Sequence, residues 1–332
     1  MSDATGRTTW FRKAGWGVFL HYLADGASVT RPVDMTAEQW NRRVDGFDVE
    51  GLADQLASVG AGYCVITVGQ CSGFWLAPNA TYDRIVGHRP SRCSQRDLVS
   101  DLADALAARG IRLMVYAPAT APSNDAQAVE KLRWRWGFKE PWPAFGGERT
   151  GERLAEFQTM WESVLADWAR RWGSRISGWW VDGVYFGEAM LRHPEPPNYA
   201  SFAAALRAGN PDALVTFNGG AFSPLTVQCN EEDYTAGESD LFLPVARWKD
   251  GRQQVVDGTA GRAQYHVLTY LGQWWGRGEP RFPDDLVTAY VRFLVDRQCV
   301  ISLDVPPRQD GLIEAPFVRQ LAAVGEAVRA RH

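Results

Sequence analysis

The run Ile176-Ser177-Gly178-Trp179-Trp180-Val181-Asp182-Gly183-Val184-Tyr185 decides how the rest of the chain is read. It opens as a short, apolar, β-prone segment and stops at Asp182-Gly183. A carboxylate just past the end of a buried strand, followed by a residue free to take a positive φ, is how an α/β barrel presents an acid to its open face. Asp-Gly is equally the mark of a plain turn. The flanking chain has to choose between the two.

Upstream, apolar runs at Trp16–His21, Tyr63–Val68 and Arg112–Tyr116 read as strands, and the opening run supplies a fourth at Gly178–Val181. Downstream, Ala213–Asn218 is a fifth. A sixth falls near Val227–Tyr234, where the pattern is least clear. Gln264–Leu268 and Val300–Val305 complete a set of eight. Helical patterns separate most of them. Thr36 to Arg43 opens with a capping-box pattern, Thr36 with Gln39 three residues on. A second helix begins at Phe47-Asp48, repeats Leu52, Leu56 and Val59, and stops at Gly60. Ser94 is read as the cap of a third, with Leu98, Leu102 and Leu106 on one face and Gly110 at its end. Arg153–Trp172, Tyr199–Ala208, Asp284–Asp296 and Pro316–Ala330 are the later helices. Gly69 to Arg92 reads as a loop longer and more aromatic than a connector requires, and Pro118 to Gly147 as a long loop on the functional face.

Short buried strands joined by helices require parallel pairing and right-handed crossovers. Eight of them favour a (β/α)8, TIM-like barrel over an open sheet. No G-x-G-x-x-G follows the first strand, which argues against dinucleotide binding. The expectation is one catalytic domain over residues 1–332, of class α/β, without an appended β-sandwich.

Composition narrows the functions. The 332 residues are 45% hydrophobic and 22% charged with a net charge of -4, so no basic field invites nucleic acid. No apolar run is long enough to span a bilayer, and the N-terminus has no apolar signal region, so a cytoplasmic location is expected. The 5 cysteines are scattered without C-x-x-C spacing, and the 5 histidines show no zinc pattern, so neither metal nor cofactor is expected. The 15 tryptophans are numerous enough to offer flat apolar faces to a sugar, although most are expected to fill the core.

Polar residues gather at the strand ends: His21, Asp182, Asn218, Asp233 with Glu238, and Asp304. The segments that carry them have a familiar order. Trp16-Gly-Val-Phe-Leu-His21, Phe47-Asp48 through Ala61-Gly-Tyr63, Asp97 to Tyr116, Trp180-Val-Asp182-Gly183, Asp233-Tyr-Thr-Ala-Gly-Glu238, Trp274-Trp275-Gly276 and Ser302-Leu-Asp-Val-Pro-Pro-Arg-Gln-Asp-Gly311 follow one another as in the α-L-fucosidase family, glycoside hydrolase family 29. The chain resembles that family's catalytic barrel along nearly its whole length. One departure is chemical. Where the family has H-H-x-G-F, this chain reads Gln70-Cys71-Ser-Gly-Phe74, and a thiol is a poor hydrogen-bond partner.

The resemblance implies a retaining glycosidase acting on an α-L-fucosyl or related glycoside. Asp182 matches the family's nucleophile and Glu238 a residue that supplies the acid/base in some members, with Glu231 and Glu232 as alternates. Asp182 has to stay ionised, held by hydrogen bonds or by His21. Glu238 needs a raised pKa, expected from tryptophan packing. His21, Gln70, Cys71, Trp75, Trp180, Asn218 and Trp275 are the expected sugar contacts. The partner is a carbohydrate or a glycosylated small molecule. The alternative is a sugar-binding relative without turnover.

Overall fold

Seven strands form one parallel sheet: β1 (Trp16–Leu20), β2 (Tyr63–Thr67), β3 (Arg112–Pro118), β4 (Ile176–Asp182), β5 (Leu214–Phe217), β6 (His266–Tyr270) and β7 (Val300–Asp304). Their order in the sheet is β6-β7-β1-β2-β3-β4-β5. The structure is a computed structural model. It describes residues 4–24, 34–135, 151–184, 190–221, 223–249 and 251–330. Tyr185 and residues 136–147 of the second expected loop lie outside them.

The sheet is that of a TIM-like barrel, with helices packed on its outer face. The capping box of Thr36 and Gln39 opens Ala37–Asp45, and Asp48 caps Val49–Val59, which ends at Gly60 in the left-handed region. The helix expected to start from Ser94 is Leu98–Ala107, and its cap is Asp97, whose side chain accepts from the Ser100 N–H. The loop after β2 contains a short helix, Ala80–Val86, that the sequence pattern did not announce.

The sixth expected strand takes another form. No strand spans 227–234. Instead the irregular segment 232–239 lies between β5 and β6 and bonds to both. Toward β6 the contacts are main-chain: Leu268 N–H donates to Gly237 O at 2.8 Å and Ser239 N–H to Leu268 O at 2.8 Å. Toward β5 one main-chain bond, Asp233 N–H to Val215 O at 2.9 Å, is joined by two carboxylates that take the place of carbonyls. Asp233 Oδ2 accepts from Val215 N at 3.0 Å, and Glu232 Oε1 accepts from Phe217 N at 2.9 Å. Gly237 has φ +73°, and a Cβ there would lie 2.2 Å from His266 O, so only glycine lets the segment approach β6 this closely.

Strand alternation sorts the side chains. Phe19, Tyr63, Val65, Met114, Tyr116, Trp180, Leu214 and Leu268 fill the barrel, joined by Tyr234 and Ala236 of the irregular segment. The double tryptophan is split by this rule. Trp180 points inward and stacks on Tyr116 at 5.4 Å, while Trp179 points outward to Trp172. Asp182 has the parity of Trp180 and faces the barrel mouth. The N-terminal helix Thr9–Ala14 closes the other end, with Phe11 fully buried against Tyr63, Tyr234 and His266.

Candidate active site

Asp182 ends β4 at the barrel mouth, and its two carboxylate oxygens are held separately. Oδ2 accepts from the Tyr116 hydroxyl at 2.8 Å, and Oδ1 accepts from Asn218 Nδ2 at 2.8 Å. Asn218 follows β5 directly. The same Nδ2 donates its other hydrogen to Glu238 Oε2 at 2.5 Å. The amide cannot turn over without loss, because its oxygen accepts from Gly220 N at 3.1 Å. One nitrogen therefore bridges two acids. Their bridged oxygens can be no further apart than those two bonds laid end to end, about 5.3 Å, which is compatible with the roughly 5 Å between nucleophile and acid/base in a retaining glycosidase.

Burial raises the Glu238 carboxyl to about 8, and the Asp182 charge and then Asp240 add to the shift, while the Asn218 hydrogen bond opposes it. The cause is thus removal from water and a neighbouring carboxylate, rather than tryptophan packing alone. A small cavity of about 20 Å³, room for one water, opens beside it, lined by Asn218, Gly219, Gly220, Thr226, Gln228 and Glu238 among others.

The remaining site residues separate into those gathered here and those placed elsewhere. Gln70 donates to the Tyr116 hydroxyl at 2.6 Å, so Gln70, Tyr116 and Asp182 form a chain of donors. Gln70 Oε1 is buried without a hydrogen-bond partner among the described residues. Cys71, beside it, is buried. His21 does not hold Asp182. Its Nδ1 meets Asp304 Oδ2 at 2.6 Å, and its ring packs near Tyr116 and Trp275. Trp180 forms the floor, with its indole N–H donating to Ala236 O at 2.9 Å. Trp275, half-buried, forms one wall.

Trp75 is not part of the site. It is fully buried on the outer side of the sheet against Tyr82, Trp161 and Trp168. The loop carrying it folds back so that Leu76 N–H bonds Val68 O, which extends β2 and turns Trp75 toward the helices. Glu232 is held inside the wall by Phe217 N, Thr216 Oγ1, Gln228 N and Cys229 N, a bound rather than available carboxyl. Glu231 is half-buried, and its carbonyl accepts from Arg207. Sequence reasoning missed Tyr116. Its signal was position, the last residue of the third expected strand, in the inward-facing series of β3.

Among the described residues no group of three or more His, Cys, Asp or Glu is arranged to hold a metal, and no helix is long and apolar enough to cross a membrane.

The sequence matches no protein-family model and no curated protein. Solved structures do share the fold. An endo-fucoidan hydrolase from glycoside hydrolase family 107 aligns with TM-score 0.66 at 14% identity, covering 96% of this chain and 92% of its own. α-L-fucosidase isoenzyme 1 from Paenibacillus thiaminolyticus aligns with TM-score 0.65 at 18% identity, over 99% of this chain and 76% of that one. An α-L-fucosidase from Lactobacillus casei, in complex with α-L-fucose product, gives TM-score 0.65 at 14% identity over 98% and 99%.

Proposed function

We propose that the chain is a glycoside hydrolase acting on fucosyl glycosides with retention of configuration. The observation that carries this reading is the shared Asn218 nitrogen, which sets Asp182 and Glu238 at the separation of a displacement pair while burial keeps a proton on Glu238 near neutral pH. Fucose as the sugar rests on the sequence resemblance and on similar structures named as fucosidases or fucoidan hydrolases.

In the first step the Asp182 carboxylate attacks the anomeric carbon and the glycosidic C–O bond breaks. The departing oxygen takes the proton of Glu238. In the second step water attacks the same carbon, the Glu238 carboxylate takes the water's proton, and the ester bond to Asp182 breaks. Asn218 donates to both acids and keeps them in register, and the Gln70–Tyr116 pair fixes the second oxygen of Asp182. His21, Gln70, Cys71, Trp180 and Trp275 line the space for the reacting sugar. With Gln70 and Cys71 in place of two imidazoles, the hydroxyl contacts there use an amide in place of a titratable ring.

The test is incubation with 2-deoxy-2-fluoro-α-L-fucosyl fluoride, followed by peptide mass spectrometry. A fluoroglycosyl adduct on Asp182, with release of nitrophenol from 4-nitrophenyl α-L-fucoside by the untreated protein, supports the mechanism. Calorimetric binding of L-fucose with neither adduct nor release would overturn it and leave a sugar-binding protein.

A further inference from the structure

We infer that the rim of this site carries a second sugar position, built on Trp274, for the carbohydrate residue that leaves when the fucosyl bond breaks. The inference rests on the function proposed above and adds the substrate class: a fucosylated oligosaccharide.

Trp274 is 43% exposed, whereas most of the large aromatic side chains are buried. Its mount is rigid. Trp274 and Arg277 exchange both main-chain hydrogen bonds at 3.2 Å, which closes a tight turn. The turn is pinned to the barrel where Gly276 N–H donates to Asp304 Oδ1 at 2.7 Å. Gly276 has φ +62°, and a Cβ there would lie 2.7 Å from the Cβ of His21, so the turn sits directly on the residue after β1. A main chain fixed in this way leaves only the indole's own torsions to be ordered when a ligand covers it.

The ring also belongs to a continuous aromatic line. His21 lies 5.9 Å from Trp275, Trp275 4.7 Å from Tyr270, and Tyr270 5.8 Å from Trp274. Arg281 lies over the Tyr270 ring at 3.7 Å and spends its donors on Tyr270 O, Asp240 O and Thr269 Oγ1, which locks the middle of the line. The line leaves the site on the side of Glu238, because Glu238 pairs with Leu268 on β6 and Tyr270 ends the same strand. That is the side of the departing oxygen. A flat, partly exposed indole outward of the general acid fits the CH-rich face of a pyranose.

The test compares Trp274→Ala and Trp274→Phe with the wild type on two substrates. One is a fucosylated lactose trisaccharide; the other is α-L-fucosyl fluoride, which has nothing beyond the reacting sugar. The readout is the ratio of kcat/KM for the trisaccharide to kcat/KM for the fluoride. Trp274→Ala should lower it about tenfold, the worth of one aromatic stack, and Trp274→Phe should restore most of the loss. An unchanged ratio in Trp274→Ala overturns the second position. If the wild type cleaves neither substrate, the hydrolase reading fails, and calorimetry with the trisaccharide and with L-fucose decides the rim. Tighter binding of the trisaccharide that disappears in Trp274→Ala supports the position; equal affinities overturn it.

Discussion

Glu232 and Glu238 lie on the same irregular segment of the barrel wall, and burial raises both carboxyls, to about 7 and about 8. Their surroundings differ. Glu232 is ringed by three main-chain N–H groups and a hydroxyl, and its neighbour Asp233 is clamped between Arg7 and Arg207. Glu238 has the amide of Asn218, which it shares with Asp182, and a cavity at its side. A raised carboxyl is therefore not in itself a catalytic one. What separates the two is how many donors are already committed and whether a second acid stands opposite.

Substitutions at the mouth should break chemistry and spare the fold; substitutions in the wall should do the reverse. Asp182→Asn is expected to lower kcat on 4-nitrophenyl α-L-fucoside by about 10⁴-fold or more, with an unchanged circular dichroism spectrum. Glu238→Gln should cost about 10²–10⁴-fold in kcat/KM on alkyl glycosides and far less in kcat/KM on fucosyl fluoride, whose first step needs no proton to leave, while hydrolysis of the glycosyl ester slows for both. Asp233→Ala leaves two guanidinium groups facing each other with no counter-charge. It should lose about 3–5 kcal/mol in denaturant unfolding while turnover per folded molecule holds. Trp75→Phe should cost only about 1–2 kcal/mol through a small cavity and leave kcat/KM alone.

The pH dependence sharpens the same contrast. In the proposed mechanism the acid form of Glu238 is the active one, so kcat/KM should fall as pH rises through about 8, and Glu238→Gln should lack that limb. Stability carries the matching sign. A carboxyl whose folded value is raised from 4.5 to about 8 favours the folded state fully below 4.5, and the advantage is lost as pH rises toward 8. Glu238→Gln should therefore gain in Tm relative to wild type between those limits, read by thermal unfolding at several pH values.

Much of this arrangement was legible in the chain. The parallel strands and most helix caps followed from buried apolar runs, capping residues and left-handed glycines. His21, Asp182, Asn218 and Asp304 were legible as strand-end polar residues, because period-two alternation carries each onto the inner face, and Glu238 through its place in the Asp233–Glu238 segment. Trp75 was not, since a loop that folds back along β2 reverses the expected direction and local sequence carries no trace of that return. Tyr116 was hidden by its chemistry, an apolar ring whose hydroxyl counts only once Asp182 is beside it. The sixth strand was expected near Val227–Tyr234, short of the wall at 232–239, because much of that wall's bonding uses side chains, which a pattern of hydropathy does not register.

That wall has a consequence for how the protein can change over generations. A main-chain ladder tolerates almost any residue, since the bonding atoms are the same in all of them. Between β5 and Glu238 one main-chain bond, Asp233 N–H to Val215 O, is joined by the carboxylates of Glu232 and Asp233, so much of the seam is spelled out in residue identity. A saturation scan should find its deepest intolerance outside the reacting pair at these two positions and at Gly237, far deeper than along β2 or β3. The proposed proton donor hangs from a stave of the barrel that cannot be rewritten freely.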